Sequence, residues 1–167
     1  MKISGITTSI AAIAISSGMA FAEGLPKIPM LTLDVAKKMA AACEAMSVEQ
    51  GWRMDIAIVD RGANLVLFHR MDNAFLISTD IAIGKATTSA RIPFPSRSVA
   101  NLAHGKDGEP GALPGIAFVD GVITFAGGLP IKAGDVHVGG IGVSGDTADN
   151  DEICAQAGID AVAEDLK

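Results

Sequence analysis

A glycine-rich segment near the carboxyl end of the chain, Gly139 to Gly145, limits the folds that this sequence can adopt. Gly140, Gly142 and Gly145 satisfy the G-x-G-x-x-G spacing of a dinucleotide-binding turn. That fold also needs a second parallel strand, with an acidic residue for the ribose, after the helix that follows the turn. Only 22 residues follow Gly145, and a predicted helix takes them up. The glycines are therefore predicted to allow close backbone approach within a packed sheet.

The first 22 residues have the features of an export signal. Lys2 precedes a mostly apolar run, and Ala20-Phe21-Ala22 matches a signal-peptidase site. Cleavage after Ala22 leaves one domain, residues 23–167, which is long enough to bury a core. No later apolar run approaches the roughly 20 residues of a membrane helix. The sequence therefore predicts a periplasmic or secreted protein that does not span the membrane, with an uncleaved anchor or a buried first helix as the alternative.

The charge of the chain is acidic overall but uneven. A net charge of −6 argues against nucleic-acid binding. Between Arg70 and Lys106, however, five basic residues stand against two acidic ones. A basic region on an acidic protein fits a small anionic ligand or a charge-matched self-contact. Ordinary solvated surface charge is an equal alternative.

Apolar periodicity and turn residues predict the order of helices and strands. The predicted helices are 32–50, 78–91 and 151–166, and the predicted strands are 54–59, 65–71, 116–119, 122–126 and 136–143. Residues 97–114 are polar and rich in glycine and proline, and we expect a long functional or mobile loop with one helical turn near Val99. Residues 127–130 are predicted to form a second glycine turn. Because no strand–helix–strand repeat dominates, the pattern favours an α+β fold, an antiparallel sheet with helices packed on it.

Two cysteines, Cys43 and Cys154, fall on the apolar faces of the first and last predicted helices. The absence of a C-x-x-C motif excludes a zinc knuckle or a thioredoxin-like site. A disulfide is possible in an oxidising compartment. Sequence does not give the Cα separation that a bridge requires, so two buried thiols are an equal alternative.

Four sequence blocks occur in an order typical of one protein family. They are DIAIVDRGAN (55–64) with HRMD (69–72), DIAIGKATT (80–88), GGLPI (127–131), and GIGVSG (140–145) with DE (151–152). The chain from about Leu31 onward thus resembles the GlcG/HbpS-like family of small haem-binding or haem-degrading domains. The resemblance implies a profilin-like fold, a five-stranded antiparallel sheet with helices on both faces, and homo-oligomers, often octamers.

The same resemblance implies haem or a related tetrapyrrole as the ligand. It also implies roles in haem sensing, storage or iron handling, with a membrane sensor as a partner in some members. Weak haem degradation is a further activity that the family suggests. One branch of the family is fused to corrinoid-handling enzymes.

Haem binding requires an iron ligand, an apolar slot and cations for the two propionates. The candidate iron ligands are His104 in the long loop and His69 at the end of a strand, with His137 and Met71 as weaker candidates. The candidate ligand-binding residues are Arg70, Lys85, Arg91, Arg97, His104, Gly127 and Gly128. Ordinary surface or core histidines and an ion pair between Arg70 and Asp72 are the alternatives.

Two other functions stay open on the sequence. One is a corrinoid-handling or small-molecule enzyme accessory that uses the same crevice without an iron ligand. The other is a ligand-free structural oligomer or sensor partner. No nucleophile elbow, paired-histidine metal motif or EF-hand loop is present, so no catalytic residue is predicted.

Overall fold

The computed structural model describes Gly24 and residues 27–167, so the predicted export signal lies outside the described residues. One antiparallel sheet has the strand order β2-β1-β4-β3. Its strands are β1 (Asp55–Asp60), β2 (Leu65–Arg70), β3 (Gly128–Ala133) and β4 (Val136–Ser144). The helices are α1 (Leu33–Gln50), α2 (Ser78–Arg91), α3 (Ser96–His104) and α4 (Ala148–Asp160), with a 3-10 helix at Pro114–Phe118.

The central strand β1 divides the core into two layers. Ile56 and Ile58 pack with α1 and α4 on one face of the sheet, whereas Ala57 and Val59 pack with α2 on the other. All four side chains are fully buried. Because both faces of this strand are covered, it is apolar almost throughout. The predicted α+β class, an antiparallel sheet with helices on both faces, is therefore confirmed.

The prediction of five strands is wrong, because the described residues form a sheet of four. Residues 116–119 lie largely in the 3-10 helix, and residues 122–126 form no strand. The edge strand β3 begins at Gly128, where the sequence predicted a turn. Pro130 is tolerated there because an edge strand leaves one row of backbone groups unpaired.

Part of the predicted long loop is helical. Helix α3 begins after Pro95, continues to His104 and ends at Gly105, whose φ of 89° suits glycine. The carbonyl of Leu102 accepts a hydrogen bond of 2.8 Å from the Leu113 amide, which joins α3 to the start of the 3-10 region. The glycine and proline content that predicted a loop instead marks the ends of these two short elements.

Two glycines of β4 allow helix α2 to lie directly on the sheet. A Cβ atom on Gly140 or Gly142 would overlap backbone atoms of Ala86, and one on Gly142 would also overlap the Ala82 carbonyl. The facing side of α2 carries alanines, so the helix and the strand meet with almost no side chain between them. The role predicted for the glycines, close backbone approach, is confirmed.

We expect Gly142→Ala to lower the free energy of unfolding by about 1–3 kcal/mol, because the added methyl group must displace helix α2. Urea unfolding followed by circular dichroism measures this change. Gly115→Ala is the matched control, since a Cβ there meets nothing within 4 Å. Equal stability of the two variants would contradict this packing.

A disulfide between Cys43 and Cys154 joins α1 to α4. The two Cα atoms are 4.8 Å apart, and the cysteines are separated by 111 residues in sequence. Both residues are fully buried, and the Ser47 hydroxyl donates a 2.8 Å hydrogen bond to the Cys43 carbonyl beside them. Of the two alternatives that the sequence left open, a disulfide or two buried thiols, the structure has the disulfide.

Removing this bridge with Cys43→Ala and Cys154→Ala together is expected to cost up to about 4–5 kcal/mol, because the closed loop is long. The measurement is the urea midpoint with and without a reductant. The wild-type midpoint should fall in reductant, and the double variant should show no such dependence. A reductant-independent wild-type midpoint would exclude a contribution from the disulfide.

Candidate functional site

His104, the strongest candidate iron ligand in the sequence, lies on the surface at the end of α3. Its ring is exposed, and its Nε2 atom is 2.8 Å from the Thr124 hydroxyl oxygen. The ring also borders a cleft of about 380 Å³ formed by the turn at residues 104–110. The imidazole is exposed and accessible, and a ligand at Nε2 would take the place of the Thr124 hydroxyl.

The part of the chain that contains His104, residues 92–125, exposes a set of apolar side chains. Its members belong to α3, the 3-10 helix and the flanking chain, and we call it the 92–125 surface. Its exposed side chains are Phe94, Leu102, Leu113, Phe118, Val119 and Phe125. Phe118 is 87% exposed, which is unusual because phenylalanine is usually buried. An apolar patch of this kind marks a place where a ligand or another protein binds.

Arg91 borders the same surface from the end of α2. Its Nη1 atom is 3.4 Å from the Asp120 carbonyl oxygen, a long and weak contact. His104 contacts Thr124, so both groups meet the stretch 120–124, whose ends are at most about 14 Å apart. The structure therefore brings these two predicted site residues to one region.

Arg97 lies on α3 but is held by carboxylates of α4. Its Nη2 is 2.5 Å from Asp149 Oδ1, and its Nε is 3.1 Å from Glu152 Oε1. The hydrogen bond that Arg97 donates to Asp149, followed by the one that it donates to Glu152, raises the pKa of the Arg97 guanidinium. A propionate at Arg97 would have to displace these two acids.

His69 and Arg70 lie on β2, far from His104. His69 Nδ1 is 3.0 Å from Glu44 Oε2. Arg70 binds the Thr79 hydroxyl at 2.8 Å near the start of α2, whereas Arg91 lies at its end. The two positions are twelve residues apart along the helix, which corresponds to about 18 Å. Arg70 thus lies near one end of α2 and Arg91 at the other.

The predicted pair between Arg70 and Asp72 is replaced by another. Arg70 Nη1 is 3.3 Å from Asp55 Oδ2, and Asp55 is fully buried. Thr79 donates a 2.8 Å hydrogen bond to the same carboxylate oxygen. These contacts make Arg70 a link between β1, β2 and α2.

Lys85 is completely buried and bound by protein groups. Its ammonium donates to Asp151 Oδ2 at 2.6 Å and to the Val143 carbonyl at 2.8 Å. It also lies 5.0 Å from the centroid of the Phe125 ring. Burial lowers the pKa of Lys85 and raises the pKa of Asp151, and the attraction between the two groups opposes both shifts. The pair connects α2, β4 and α4.

Gly127 and Gly128 are packed against Lys85. A Cβ on Gly127 would lie 2.6 Å from Lys85 Nζ, and one on Gly128 would lie 2.9 Å from the Ser96 hydroxyl. Both glycines are buried. Lys85 and these glycines therefore contact protein atoms inside the protomer, where the sequence predicted contacts with a ligand.

The weaker candidates are also placed by the structure. His137 is half-buried, and its Nε2 atom is buried with no hydrogen-bond partner in the described chain. Met71 accepts a 3.4 Å contact from the Met54 amide through its sulfur and packs against the core. Residues 27–167 contain no cluster of three or more His, Cys, Asp or Glu side chains that could hold a metal ion.

Breaking the buried pair should be costly, because it leaves one charge without a partner. We expect Lys85→Met to lower the free energy of unfolding by about 3–5 kcal/mol. Arg97→Gln, which removes an exposed pair, should cost at most about 1 kcal/mol. Urea unfolding of these two variants and of the double variant Lys85→Met/Asp151→Leu measures the changes in the free energy of unfolding. Removing both charges should recover much of the loss, and equal effects of Lys85→Met and Arg97→Gln would contradict the burial.

Comparison with known proteins identifies the family. The model of the family described as haem degrading protein HbpS-like matches residues 31–160. The chain belongs to the HbpS-like family. Among curated relatives, a 15.0 kDa protein from the dhaT-dhaS intergenic region of Citrobacter freundii is 34% identical over 141 residues, covering 83% of this chain and 96% of that protein.

A second relative is part of a larger enzyme. The corrinoid adenosyltransferase PduO of Salmonella typhimurium is 30% identical over 110 residues, which are 64% of this chain and 31% of PduO. The match thus spans about a third of that enzyme.

Solved structures show the same fold. A double mutant of Streptomyces reticuli HbpS is 31% identical, with a TM-score of 0.76 over 93% of this chain and 99% of that one. A PduOC:heme complex is 24% identical, with a TM-score of 0.73 over 80% and 95%. Within the described residues, no helix has both the length and the apolar character to cross a bilayer.

Proposed function

We propose that this protein binds haem on the 92–125 surface, with His104 as the iron ligand. The observation that carries the proposal is an exposed imidazole beside an exposed apolar surface that Arg91 also borders. Family membership and the haem named in a relative's structure support the choice of ligand. When bound, haem supplies a redox-active iron, while the chain supplies an imidazole, apolar contacts and a guanidinium for one propionate.

The proposed site is completed by a second copy of the chain. No described cleft in this region exceeds about 380 Å³, which is small for a macrocycle. Phe75, Leu76 and Ile77 at the start of α2 form a further exposed apolar cluster, being 67%, 87% and 61% exposed. Association of copies, with an octamer as the form that the family resemblance implies, would cover these surfaces.

The proposal includes export to an oxidising compartment. The Cys43–Cys154 disulfide supports it, because such bridges persist in the periplasm and outside the cell. In that compartment, haem sensing, storage or iron handling, with a membrane sensor as partner, are the roles that we propose. Corrinoid handling is the second candidate, and the similarity to PduO favours it.

Titration of the purified mature protein with hemin tests the function. We expect a saturable shift of the Soret band and a shifted, weaker spectrum for His104→Ala, with affinity reduced about tenfold or more by loss of one axial bond. His69→Ala is the control, because that ring lies on β2 and is paired with Glu44 of α1. A parallel titration with cobalamin tests the second candidate, and light scattering of the same sample gives the number of copies.

The outcomes separate the alternatives. An unchanged Soret band at equimolar protein would exclude haem binding, and a response to cobalamin alone would support corrinoid handling. Haem binding that survives His104→Ala with an unaltered spectrum would exclude this residue as the ligand. A monomer in light scattering would contradict the assembled site.

A further inference from the structure

We infer that a small cleft beside the 92–125 surface is a binding site for an amphipathic alkyl carboxylate. The cleft lies between the end of α2 and residues 116–122, and we call it the Arg91 cleft. Its volume is about 280 Å³, and its lining residues are Thr88, Arg91, Ile92, Ile116, Val119, Gly121 and Val122. None of these carries a negative charge, and Arg91 carries the single positive one.

The walls and floor of the Arg91 cleft suit an apolar chain. Ile92, Ile116, Val119 and Val122 supply branched aliphatic side chains. The Thr88 hydroxyl, which also lines the cleft, already has hydrogen-bond partners within the protein. It donates to the Gly84 carbonyl at 2.8 Å and accepts from the Ile123 amide at 2.8 Å. The Thr88 hydroxyl therefore does not require a polar partner from a ligand tail.

Arg91 provides the charge complement at the mouth. A Cβ on Gly121 would lie 3.6 Å from Arg91 Nη1, which places the guanidinium over the 120–121 turn. Its contact with the protein there is the 3.4 Å approach to the Asp120 carbonyl. Arg70 and Arg97, in contrast, each bind a carboxylate of the chain. The guanidinium is thus available for a charge-assisted, two-pronged contact with a ligand carboxylate.

Two sources share this chemistry, namely a propionate arm of haem and a free alkyl carboxylate. The volume equals about nine waters at roughly 30 Å³ each, which is more than a two-methylene propionate arm fills. The size therefore favours a free acid with a chain of medium length. This inference does not rest on haem binding, since the cleft is formed by one protomer.

Calorimetric titration of the haem-free, full mature protein with octanoate tests the inference. We expect saturable binding with a dissociation constant between about 1 μM and 1 mM. Arg91→Met should weaken binding at least about tenfold, because it removes a charge-assisted contact. Arg61→Met, which removes an exposed arginine from the β1–β2 turn, should leave it unchanged. Octan-1-ol, which lacks the carboxylate, should bind as weakly as octanoate binds to Arg91→Met.

A second variant and a competition experiment with hemin test the same site. Val119→Trp should abolish octanoate binding by filling the cleft, and its position at a half-exposed residue favours normal folding. Displacement of octanoate by hemin but not by its dimethyl ester would show that a propionate competes for Arg91 and would support the charge contact, whereas equal displacement by the ester would overturn it. Absence of saturation at about 10 mM octanoate, or equal binding by Arg91→Met, would overturn the site itself. Neither result bears on whether hemin shifts the Soret band at His104.

Discussion

The contact between helix α2 and strand β4 is the constraint on which the rest of the structure depends. Because Gly140 and Gly142 present bare backbone, the helix lies close enough to the sheet for the Lys85 ammonium to reach the Val143 carbonyl. A larger residue at either glycine would raise the helix and separate these atoms. The same close approach fixes the direction of α2, and thereby sets Arg91 and the Thr79–Arg70 link at its two ends.

The buried pair of Lys85 and Asp151 makes this layer a single unit with α4. Two charges removed from water are tolerated because each has further partners, the Val143 carbonyl for the ammonium and the Asp146 amide for the carboxylate. Phe125 covers the ammonium on the outer side, with its ring 5.0 Å away. Phe125 therefore contacts the buried pair and is also part of the exposed 92–125 surface.

Much of the architecture could be predicted from the sequence, and the failures have physical causes. Helix α1 was predicted from its apolar stripe and from Thr32, which indeed accepts a hydrogen bond from the Val35 amide. Residues 122–126 are rich in β-branched and aromatic side chains, as strands are, yet they cover α2, and the Ile123 amide pairs with the Thr88 hydroxyl. Lys85 was predicted to contact a ligand because it lies in the basic region and in one of the family-like blocks, and its partner Asp151 is 66 positions away in sequence. Long-range pairing of this kind leaves no local signal, and neither does the contact of Thr124 with His104.

The disulfide closes residues 43–154 into a covalent ring. Every strand of the sheet, the Lys85–Asp151 pair, the 92–125 surface and the Arg91 cleft lie between Cys43 and Cys154. Cleavage of one peptide bond within that ring leaves the two fragments joined by the disulfide. The cleaved molecule therefore still carries both the 92–125 surface and the Arg91 cleft. A single proteolytic cleavage between the two cysteines would therefore not release any part of the sheet from the molecule.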